Sequence, residues 1–448
     1  MQPKNHLKAG VFLALTATLM ACAAPPAAAP ATSATEAPST STSGTGATTT
    51  IQWGMWGDAE ELKSHQAVAD AFMVKNPDIK IEIVPAPWGD FQTKLKTQFA
   101  SGDANVPDVF FWPENVENLA TQGVIEDLTP LAEQSGYDLK DYWPGILDRA
   151  TVNGKVYGLV RDAGASILYY NKDIFDEAGV AYPTDKWTWD DLRSAAEKLT
   201  KVEANGRVTR YTLGMEAGKN DAWMVANGGG YVDDYTKPTK CTLDTPQSLE
   251  SLNFFYDMIK NNHIMKPADL ATGGGDSAAF QQGKVAMILQ NASRVPAFNA
   301  AGLKYDIAPI PLTPNGQRAA DAAGAAWHMS AKSQNKDAAW TFLQFLQGAD
   351  GGQKIYAESG GMFPALRSLV NSPTFQNPNQ VPASRSTFNT VGETLKLINP
   401  ITWKYWEELS GTITGPGLDK VWALEQTPDE AVKGICEKVN AYLAEKNK

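Results

Sequence analysis

The stretch from residue 102 to residue 128 reads GDANVPDVFFWPENVENLATQGVIEDL. Its apolar run from Val109 to Phe111 is typical of a strand buried on both faces. Asn115 can cap a short helix after this strand, and Gly123 ends that helix. The stretch therefore predicts a buried strand followed directly by a helix, with Trp112 at the junction.

Trp112 occupies a position where ligands commonly bind. In open α/β sheets the ligand lies at the carboxyl ends of the strands, and this junction is such an end. We therefore interpret Trp112 as a flat platform for a small polar ligand, with Glu114 and Asn115 at its rim. The alternative interpretation is a core tryptophan beside a solvated helix cap.

The chain before this stretch alternates strands with helices. Ile51–Trp56 and Ile79–Ile83 have the pattern of strands, and a helical pattern follows each of them. This order predicts a mainly parallel sheet with helices outside it. Because Trp56, Trp88 and Trp112 each follow a predicted strand, we expect the three rings at one edge of that sheet.

Composition narrows the possible functions. The 448 residues predict two or three domains, and a net charge of −11 argues against nucleic acid and against a membrane-surface patch. Thirteen tryptophans is a high count, which suits sugar-facing or apolar pockets in addition to the core. His65, His263 and His328 are scattered without the spacing of metal ligands, so we expect ordinary histidines, no metal and no cofactor.

The N-terminal residues have the features of an export signal. Residues 1–21 contain two lysines and then an apolar run that is too short to cross a bilayer. The run ends at Cys22 in a pattern that resembles the bacterial lipobox, in which this cysteine is acylated and becomes the new N-terminus. Residues 22–50 are almost only Ala, Pro, Ser, Thr and Gly, which predicts a disordered tether with a reach of roughly 30 Å.

Two further cysteines, Cys241 and Cys436, remain once Cys22 carries lipid. An exported protein can contain a disulfide, so a bond between them is one expectation. Two separate buried thiols are the other, because the sequence contains no distance.

A change of lobe is predicted in the middle of the chain. Asn153-Gly154 predicts a tight hairpin. The loose polar stretch that follows contains Arg161 and Asp162, and Ile167–Tyr170 then begins another strand. We interpret the polar stretch as a crossover from one lobe to a second.

The second lobe has its own strand and helix signals. Thr188–Asp191 resembles a capping box, and Trp223 precedes a glycine-rich loop. A buried strand is predicted to end just before Asn291 and Arg294.

The chain is then predicted to return. Ile307–Pro311 indicates a return crossing, Trp327 follows a run of small residues, and Gly360–Pro364 is a turn that can carry a third crossing. The rest, to Lys448, is predicted to be mostly helix.

These segments, in this order, resemble the bacterial extracellular solute-binding proteins of family 1, the sugar receptors of ABC importers such as the maltodextrin-binding type. The similarity covers Ile51 to Lys448. The motifs that carry it are the stretch from residue 102 to 128, Tyr169–Phe175 with Trp187–Leu192, and Gly283–Asn291.

The resemblance implies a two-lobed α/β fold of the type II periplasmic-binding-protein class. Each lobe would be a mainly parallel sheet flanked by helices, and hinge crossovers would join the lobes and allow closure. We expect residues 51–162 plus 312–362 in the N-terminal lobe and residues 163–311 plus 363–448 in the C-terminal lobe.

The resemblance also implies partners and a location. A carbohydrate would bind between the lobes and pass to the permease subunits of an ABC importer, without any catalysed reaction. We expect an exported monomer at the outer face of the cytoplasmic membrane, which contacts that membrane only through its lipid anchor.

Site residues follow from the same resemblance. Trp112 matches a ring that usually faces the cleft, and Glu114 and Asn115 match polar residues that bind sugar hydroxyls. Asp58, which can also cap the first helix, matches a polar cleft residue after the first strand. The predicted ligand-binding residues are Trp56, Asp58, Trp88, Trp112, Glu114, Asn115, Asp162, Trp223, Asn291, Arg294, Trp327 and Trp403.

Four of these assignments rest on later parts of the chain. Asn291 and Arg294 match the loop after the Gly283–Asn291 strand. Trp403 lies where maltodextrin-type proteins place a stacking ring, and Trp406 fits that position equally well. In the segment after Met215, maltodextrin binders have an acidic and aromatic pair that this sequence does not clearly reproduce, and Trp223 is assigned in its place. The missing pair argues against maltodextrin as the ligand.

Other functions stay open at this point. A secreted carbohydrate-active enzyme needs two carboxylates about 5–10 Å apart, but no segment indicates a particular acid and nucleophile. No serine-hydrolase, zinc-protease or phosphate-cradling motif is present. A two-lobed receptor could instead bind a polyol, a phosphate ester or a polyamine, the last through Glu114, Asp162 and the tryptophans. A lipoprotein that senses or adheres is a further alternative.

Overall fold

The computed structural model describes residues 48–57, 59–101, 106–113, 116–358, 360–377, 379–396, 398 and 403–448, with the backbone alone for residues 59–61, 88 and 89. The predicted signal, most of the predicted tether with Cys22, and the predicted site residues Asp58, Glu114 and Asn115 lie outside these residues.

The strands are short and spread over the whole described chain. In order they are β1 (Thr49–Trp56), β2 (Ile79–Ala86), β3 (Val109–Trp112), β4 (Thr151–Val152), β5 (Lys155–Val156), β6 (Leu159–Val160), β7 (Ile167–Asn171), β8 (Lys201–Val202), β9 (Val208–Gly214), β10 (Ile264–Met265), β11 (Val285–Gln290), β12 (Tyr305–Ala308), β13 (Ala320–Asp321), β14 (Ala326–Met329) and β15 (Leu395–Lys396).

Helices alternate with these strands. They are α1 (Ala59–Lys75), α2 (Trp88–Ser101), α3 (Val116–Thr121), α4 (Thr129–Ser135), α5 (Lys172–Ala178), α6 (Trp189–Leu199), α7 (Asp221–Ala226), α8 (Pro246–Lys260), α9 (Pro267–Thr272), α10 (Asp276–Gln281), α11 (Val295–Ala300), α12 (Lys336–Leu346), α13 (Gly352–Glu358), α14 (Arg367–Val370), α15 (Thr387–Gly392), α16 (Trp406–Leu409), α17 (Gly415–Trp422) and α18 (Pro428–Lys446). A π-helical turn, Ser410–Thr414, joins α16 to α17. None of the described helices is both long enough and apolar enough to cross a bilayer.

The first sheet has the strand order β2-β1-β3-β14-β6. Strands β2, β1 and β3 are parallel, with Trp53 opposite Val109, and β14 is antiparallel to both of its neighbours. All four residues of β3 are buried. The predicted mainly parallel sheet and the buried strand before Trp112 are therefore confirmed.

The second sheet has the order β10-β9-β11-β7-β12, and β8 pairs with β9 outside this path. Strands β10, β9 and β11 are parallel, whereas β7 is antiparallel to β11 and β12. In both sheets the reversed strand is the one that begins at a crossover. Its neighbours end at that edge, so a strand that starts there must run the opposite way.

Two crossovers join the sheets, from β6 to β7 and from β12 to β14. They touch through their backbones, because the Gly324 N–H donates to the Ala163 carbonyl over 3.1 Å. A Cβ atom on Gly324 would lie only 1.6 Å from the Asp162 carbonyl oxygen, so only glycine fits there. The Phe363 carbonyl accepts from the Ala163 N–H over 2.9 Å, which brings a third segment beside them.

Local signals in the sequence predicted several elements correctly. The hairpin forms between β4 and β5, with Asn153 and Gly154 at positive φ. Thr188 and Asp191 cap α6 reciprocally, as a capping box requires. The region from Ala365 to Lys396 is less helical than predicted, because its described residues, 365–377 and 379–396, form only the short α14 and α15 and strand β15.

A disulfide links Cys241 to Cys436, with 5.3 Å between the two Cα atoms. Cys436 lies on α18, and the Cys241 N–H also donates to Asn440 of that helix over 2.8 Å. Of the two arrangements left open by the sequence, the bonded one is present.

Candidate ligand-binding site

Both sheets direct the carboxyl ends of their parallel strands toward the crossovers. We call this the crossover edge: it contains the ends of β1 and β3 in the first sheet and of β9 and β11 in the second. In α/β proteins this edge is where ligands bind. The side chains that follow these strands are therefore the candidates for ligand contact.

Trp112, the last residue of β3, is 4 % exposed. Its ring packs edge-on against Phe99 of α2, with 5.5 Å between centroids, and the Lys96 ammonium lies 5.8 Å from the ring centroid. Among the described residues, its indole Nε1–H has no hydrogen-bond acceptor. The ring is thus held by α2, with one polar atom still to be satisfied.

A cavity of about 280 Å³ lies beside Trp112. The lining residues are Lys96, Phe99, Ala100, Trp112, Asn118, Leu119, Gln122, Lys404 and Glu407. Most belong to the first lobe, but Lys404 and Glu407 flank Trp403 and Trp406, whose side chains are buried in the hydrophobic core of the second sheet. The cavity is therefore lined by residues from elements that pack on both sheets.

Trp56 and Asp162 are brought close to this edge by Phe111. The Trp56 and Phe111 rings meet edge-on at 6.1 Å, and the Arg161 guanidinium lies 5.1 Å from the Phe111 centroid. Arg161 also pairs with Asp162, with 2.5 Å between Nε and Oδ2. The Trp56 indole and the Arg161–Asp162 ion pair therefore both lie beside Phe111, near the crossover edge of the first sheet.

Further polar groups at the crossovers were not predicted. The Arg149 guanidinium donates to the Pro113 carbonyl over 2.9 Å, directly after Trp112. Burial lowers the pKa of Arg149 to about 10, against the opposing effect of Asp321 and Asp162. Asp321 accepts from the Ser166 N–H over 2.7 Å, which connects the two crossovers. In the sequence these are isolated polar residues, and only the crossover geometry brings them together.

Asn291 and Arg294 follow β11 as expected. The Asn291 carboxamide oxygen accepts from the Ser293 N–H over 3.1 Å and from the Ser293 hydroxyl over 2.6 Å. Its carbonyl accepts from the Tyr169 hydroxyl over 3.0 Å, and Arg294 is exposed. The Asn291 side chain is thus engaged in capping a short turn, while Arg294 remains open to solvent.

Two predicted ligand contacts, Trp223 and Trp327, are contradicted by their burial, since neither has any exposed surface. Trp327 packs against Trp53 and Phe111, with centroids 5.2 and 5.5 Å away. Trp223 packs edge-on against Phe255 at 5.2 Å. Each ring is enclosed on all sides, so both are core residues and neither belongs to the candidate site.

Trp403 and Trp406 are also core residues, 6 % and 8 % exposed. Trp403 meets Tyr405 edge-on at 5.3 Å, and Trp406 meets Tyr231 at 5.2 Å. Neither ring lines the cavity beside Trp112, so the choice between them as a stacking ring stays a prediction. Lys404, the residue after Trp403, lines the cavity instead. Trp88 begins α2, and its side chain lies outside the described atoms.

The histidines of the first lobe are buried and uncharged near neutral pH. The His65 Nδ1 lies 2.5 Å from the Tyr356 hydroxyl, and burial lowers the pKa of His65 to about 3. Burial likewise lowers the pKa of His328 to about 4. In the part of the chain that the structure describes, no group of three or more His, Cys, Asp or Glu residues is placed to hold a metal ion.

The arrangement defines a class of protein: two α/β lobes joined by crossovers, with polar and aromatic side chains at the edge between them. The family model for bacterial extracellular solute-binding proteins matches residues 56–353. The chain belongs to this family.

Two curated relatives illustrate the similarity. The arabinooligosaccharide-binding protein of Bacillus subtilis is 28 % identical over 331 residues, which cover 68 % of this chain and 71 % of the relative. The galactooligosaccharide-binding protein of the same organism is 23 % identical over 389 residues, covering 84 % and 88 % of the two chains.

Solved structures agree with the fold. An ABC substrate-binding protein from Listeria monocytogenes, in complex with cycloalternan, superposes with a TM-score of 0.74 at 26 % identity and covers 89 % of this chain and 99 % of its own. The cyclic alpha-maltosyl-1,6-maltose binding protein of Arthrobacter globiformis has a TM-score of 0.73 at 19 % identity, covering 88 % and 99 %. The expected two-lobed type II periplasmic-binding-protein fold is therefore confirmed.

Proposed function

We propose that this protein binds a carbohydrate between its two lobes and delivers it to the permease of an ABC importer. The observation that carries the proposal is the cavity beside Trp112, which has a flat ring and polar side chains from both parts of the fold. Binding alone is required, and no residue is assigned a catalytic role.

Sugars have the chemistry that this cavity complements. A sugar ring presents C–H bonds on its face and hydroxyls around its rim, and an indole face matches the former. Amides and charged groups such as those of Gln122 and Lys404 pair with the hydroxyls. The unpartnered Trp112 Nε1–H can also donate to a ligand oxygen.

The energies are sufficient without covalent chemistry. A micromolar affinity corresponds to about −8 kcal/mol. Hydrogen bonds to charged groups contribute about 1.5–3 kcal/mol each, so five of them give a gross contribution of about 7.5–15 kcal/mol. Association and lobe closure cost several kcal/mol of this, so stacking on the indole has to supply part of the net affinity.

The relatives support a carbohydrate in particular. The two Bacillus subtilis proteins are named for arabinooligosaccharides and galactooligosaccharides, and the Listeria structure is a complex with cycloalternan. The proposed site comprises Trp56, Trp112, Asp162, Asn291 and Arg294. To these we add Lys404 and Glu407, and we retain Asp58, Trp88, Glu114 and Asn115 from the sequence.

We also propose how the protein is attached. Acylation of Cys22 after removal of residues 1–21 would anchor the protein at the outer face of the cytoplasmic membrane. Residues 22–50 would act as a flexible tether for the lobes, which we assign to residues 51–162 plus 312–362 and 163–311 plus 363–448. The protein acts as a monomer in this account.

A thermal-shift screen tests the proposal. We expect at least one mono- or oligosaccharide to raise the melting temperature, because a ligand at 100 times its Kd stabilises the folded state by about 2.7 kcal/mol. Polyols, polyamines and phosphate esters serve as the comparison panel. A shift with one of these and with no sugar would contradict the proposal, and cleavage of an oligosaccharide during incubation would indicate an enzyme instead.

A further inference from the structure

Asp276 is a buried carboxyl group with one unused oxygen. It is the first residue of α10 and is 1 % exposed. Its Oδ1 accepts from the Gln290 side-chain amide over 2.9 Å and from the Ser277 hydroxyl over 3.2 Å. Its Oδ2 has no hydrogen-bond partner in the described part of the chain. One half of this carboxylate is therefore anchored and the other half is not.

The location of Asp276 is the crossover edge of the second sheet. Gln290 is the last residue of β11, and Glu216 comes two residues after the end of the neighbouring parallel strand β9. The Glu216 carboxylate lies over the start of α10, since a Cβ atom on Gly275 would be 3.2 Å from its Oε1. The Lys219 ammonium is 3.5 Å from the Ser166 hydroxyl of the first crossover. Asp276 thus lies at this edge beside Glu216 and near Lys219, which reaches the first crossover.

The surroundings of Asp276 disfavour the charged form of its carboxyl group. Burial raises the pKa of Asp276, and the like charge of Glu216 adds to this effect. The Gln290 amide, Lys219 and Ser277 act in the opposite direction but do not cancel the rise. A buried oxygen without a donor destabilises a fold, so a purely structural acid here would be better served by asparagine. Destabilising groups of this kind are typical of binding sites.

We propose that Asp276 determines ligand specificity: its Oδ2 accepts a hydrogen bond from a hydroxyl of the bound sugar, and Glu216 accepts from an adjacent hydroxyl. The ligand would therefore carry two neighbouring free hydroxyls at this end. Glu216 is half-buried and its side chain can move aside as the ligand enters. This inference rests on the proposed function, because it names the part of a sugar that the second lobe recognises.

The substitution Asp276→Asn tests the inference, because asparagine keeps the acceptor for Gln290 and replaces Oδ2 by a donor. We expect the Kd for the tightest sugar of the thermal-shift panel, measured by calorimetry, to rise roughly ten- to a hundredfold. The melting temperature of the unliganded variant should stay equal to that of the wild type or rise. Asp269→Asn, at an exposed position on α9, is the matched control and should change neither value.

Deoxy sugars identify the hydroxyl. A sugar that lacks the hydroxyl bound by Asp276 should bind wild type weakly and should lose no further affinity in Asp276→Asn. An unchanged Kd in the variant, or a lower melting temperature without ligand, would overturn the inference while the proposed function stands. Preference for an amino sugar over the matching neutral sugar would overturn the hydroxyl assignment. A wild type that binds no sugar at all would overturn both.

Discussion

Asp221 is a second acid whose position at the crossover edge is unfavourable for stability. It begins α7, shortly after β9, and its Oδ1 accepts from the buried Tyr231 hydroxyl over 2.8 Å. Burial raises the pKa of Asp221 to about 7, Asp321 adds to the rise, and the Tyr231 hydrogen bond opposes it. The folded state therefore holds a proton on Asp221 over a pH range in which the unfolded chain, with its ordinary pKa near 3.8, does not.

The sign of the resulting pH dependence follows. Between about pH 4 and pH 7 the folded state binds more protons at Asp221, so this group makes the free energy of unfolding fall as the pH rises. Asp221→Asn removes the effect. We expect the variant to be more stable than wild type at pH 8, by on the order of 1.4 kcal/mol per unit of pKa shift at most, and equally stable near pH 4.

Urea unfolding at several pH values measures this difference. Asp257→Asn, an exposed change on α8, is the control and should track wild type throughout. A variant that is less stable than wild type at pH 8 would show that the Asp221 carboxylate stabilises the fold.

At the residue scale, the sequence predicted that Trp112 ends a buried strand, but not which of the other tryptophans are enclosed in a core. Trp112 is the last residue of β3, and the apolar run of that strand is visible in the sequence. Its position at the edge of the sheet could therefore be predicted from neighbouring residues alone. Trp223 and Trp327 have the same indole side chain but are enclosed in cores, where their neighbours come from distant segments. An indole ring can stack on a sugar or pack in a hydrophobic core, and the sequence alone does not distinguish these two roles.

At the scale of elements, the sequence predicted the turns and helix caps that depend on adjacent residues, but not the strands that depend on pairing with distant segments. The Asn-Gly hairpin and the Thr188 capping box depend on adjacent residues, and both form as predicted. The two-residue strands β6 and β13 were missed, because they exist only through pairing with β14 and β15. Pairing between segments far apart in the chain leaves no local pattern.

The disulfide ties two distant elements of the second lobe. Cys241 lies in the loop between α7 and α8, where it pairs with Val232, and Cys436 lies on the C-terminal helix α18. The bond closes a loop with a sequence separation of 195 residues. Closing so long a loop restricts the unfolded chain strongly, which stabilises the folded state by roughly 3–5 kcal/mol.

Removal of this bond should therefore lower stability. We expect the double substitution Cys241→Ser and Cys436→Ser to reduce the free energy of unfolding by about 3–5 kcal/mol, measured by urea unfolding. Wild type in the presence of a dithiol reductant should unfold at the same urea concentration as the variant, and the reductant should leave the variant unchanged. A variant as stable as oxidised wild type would contradict a stabilising role.

At the scale of the whole molecule, the two-lobed fold followed from the order of the segments and from the family resemblance. The reversed strands β7 and β14 and the contact between the crossovers at Gly324 did not. Neither did the polar groups Arg149, Ser166 and Asp321, which meet only because the crossovers run side by side. The proposed site thus depends on contacts between segments that are far apart in the sequence.

If a sugar binds between the lobes on the Trp112 ring, calorimetric titration of the best sugar must distinguish wild type from Trp112→Ala. We expect saturable binding of one sugar per protein, a Kd at least tenfold higher in Trp112→Ala, and a smaller loss of affinity in Trp112→Phe, which keeps a flat ring. An equal Kd in wild type and Trp112→Ala, with both proteins folded, would show that the sugar does not bind on this ring.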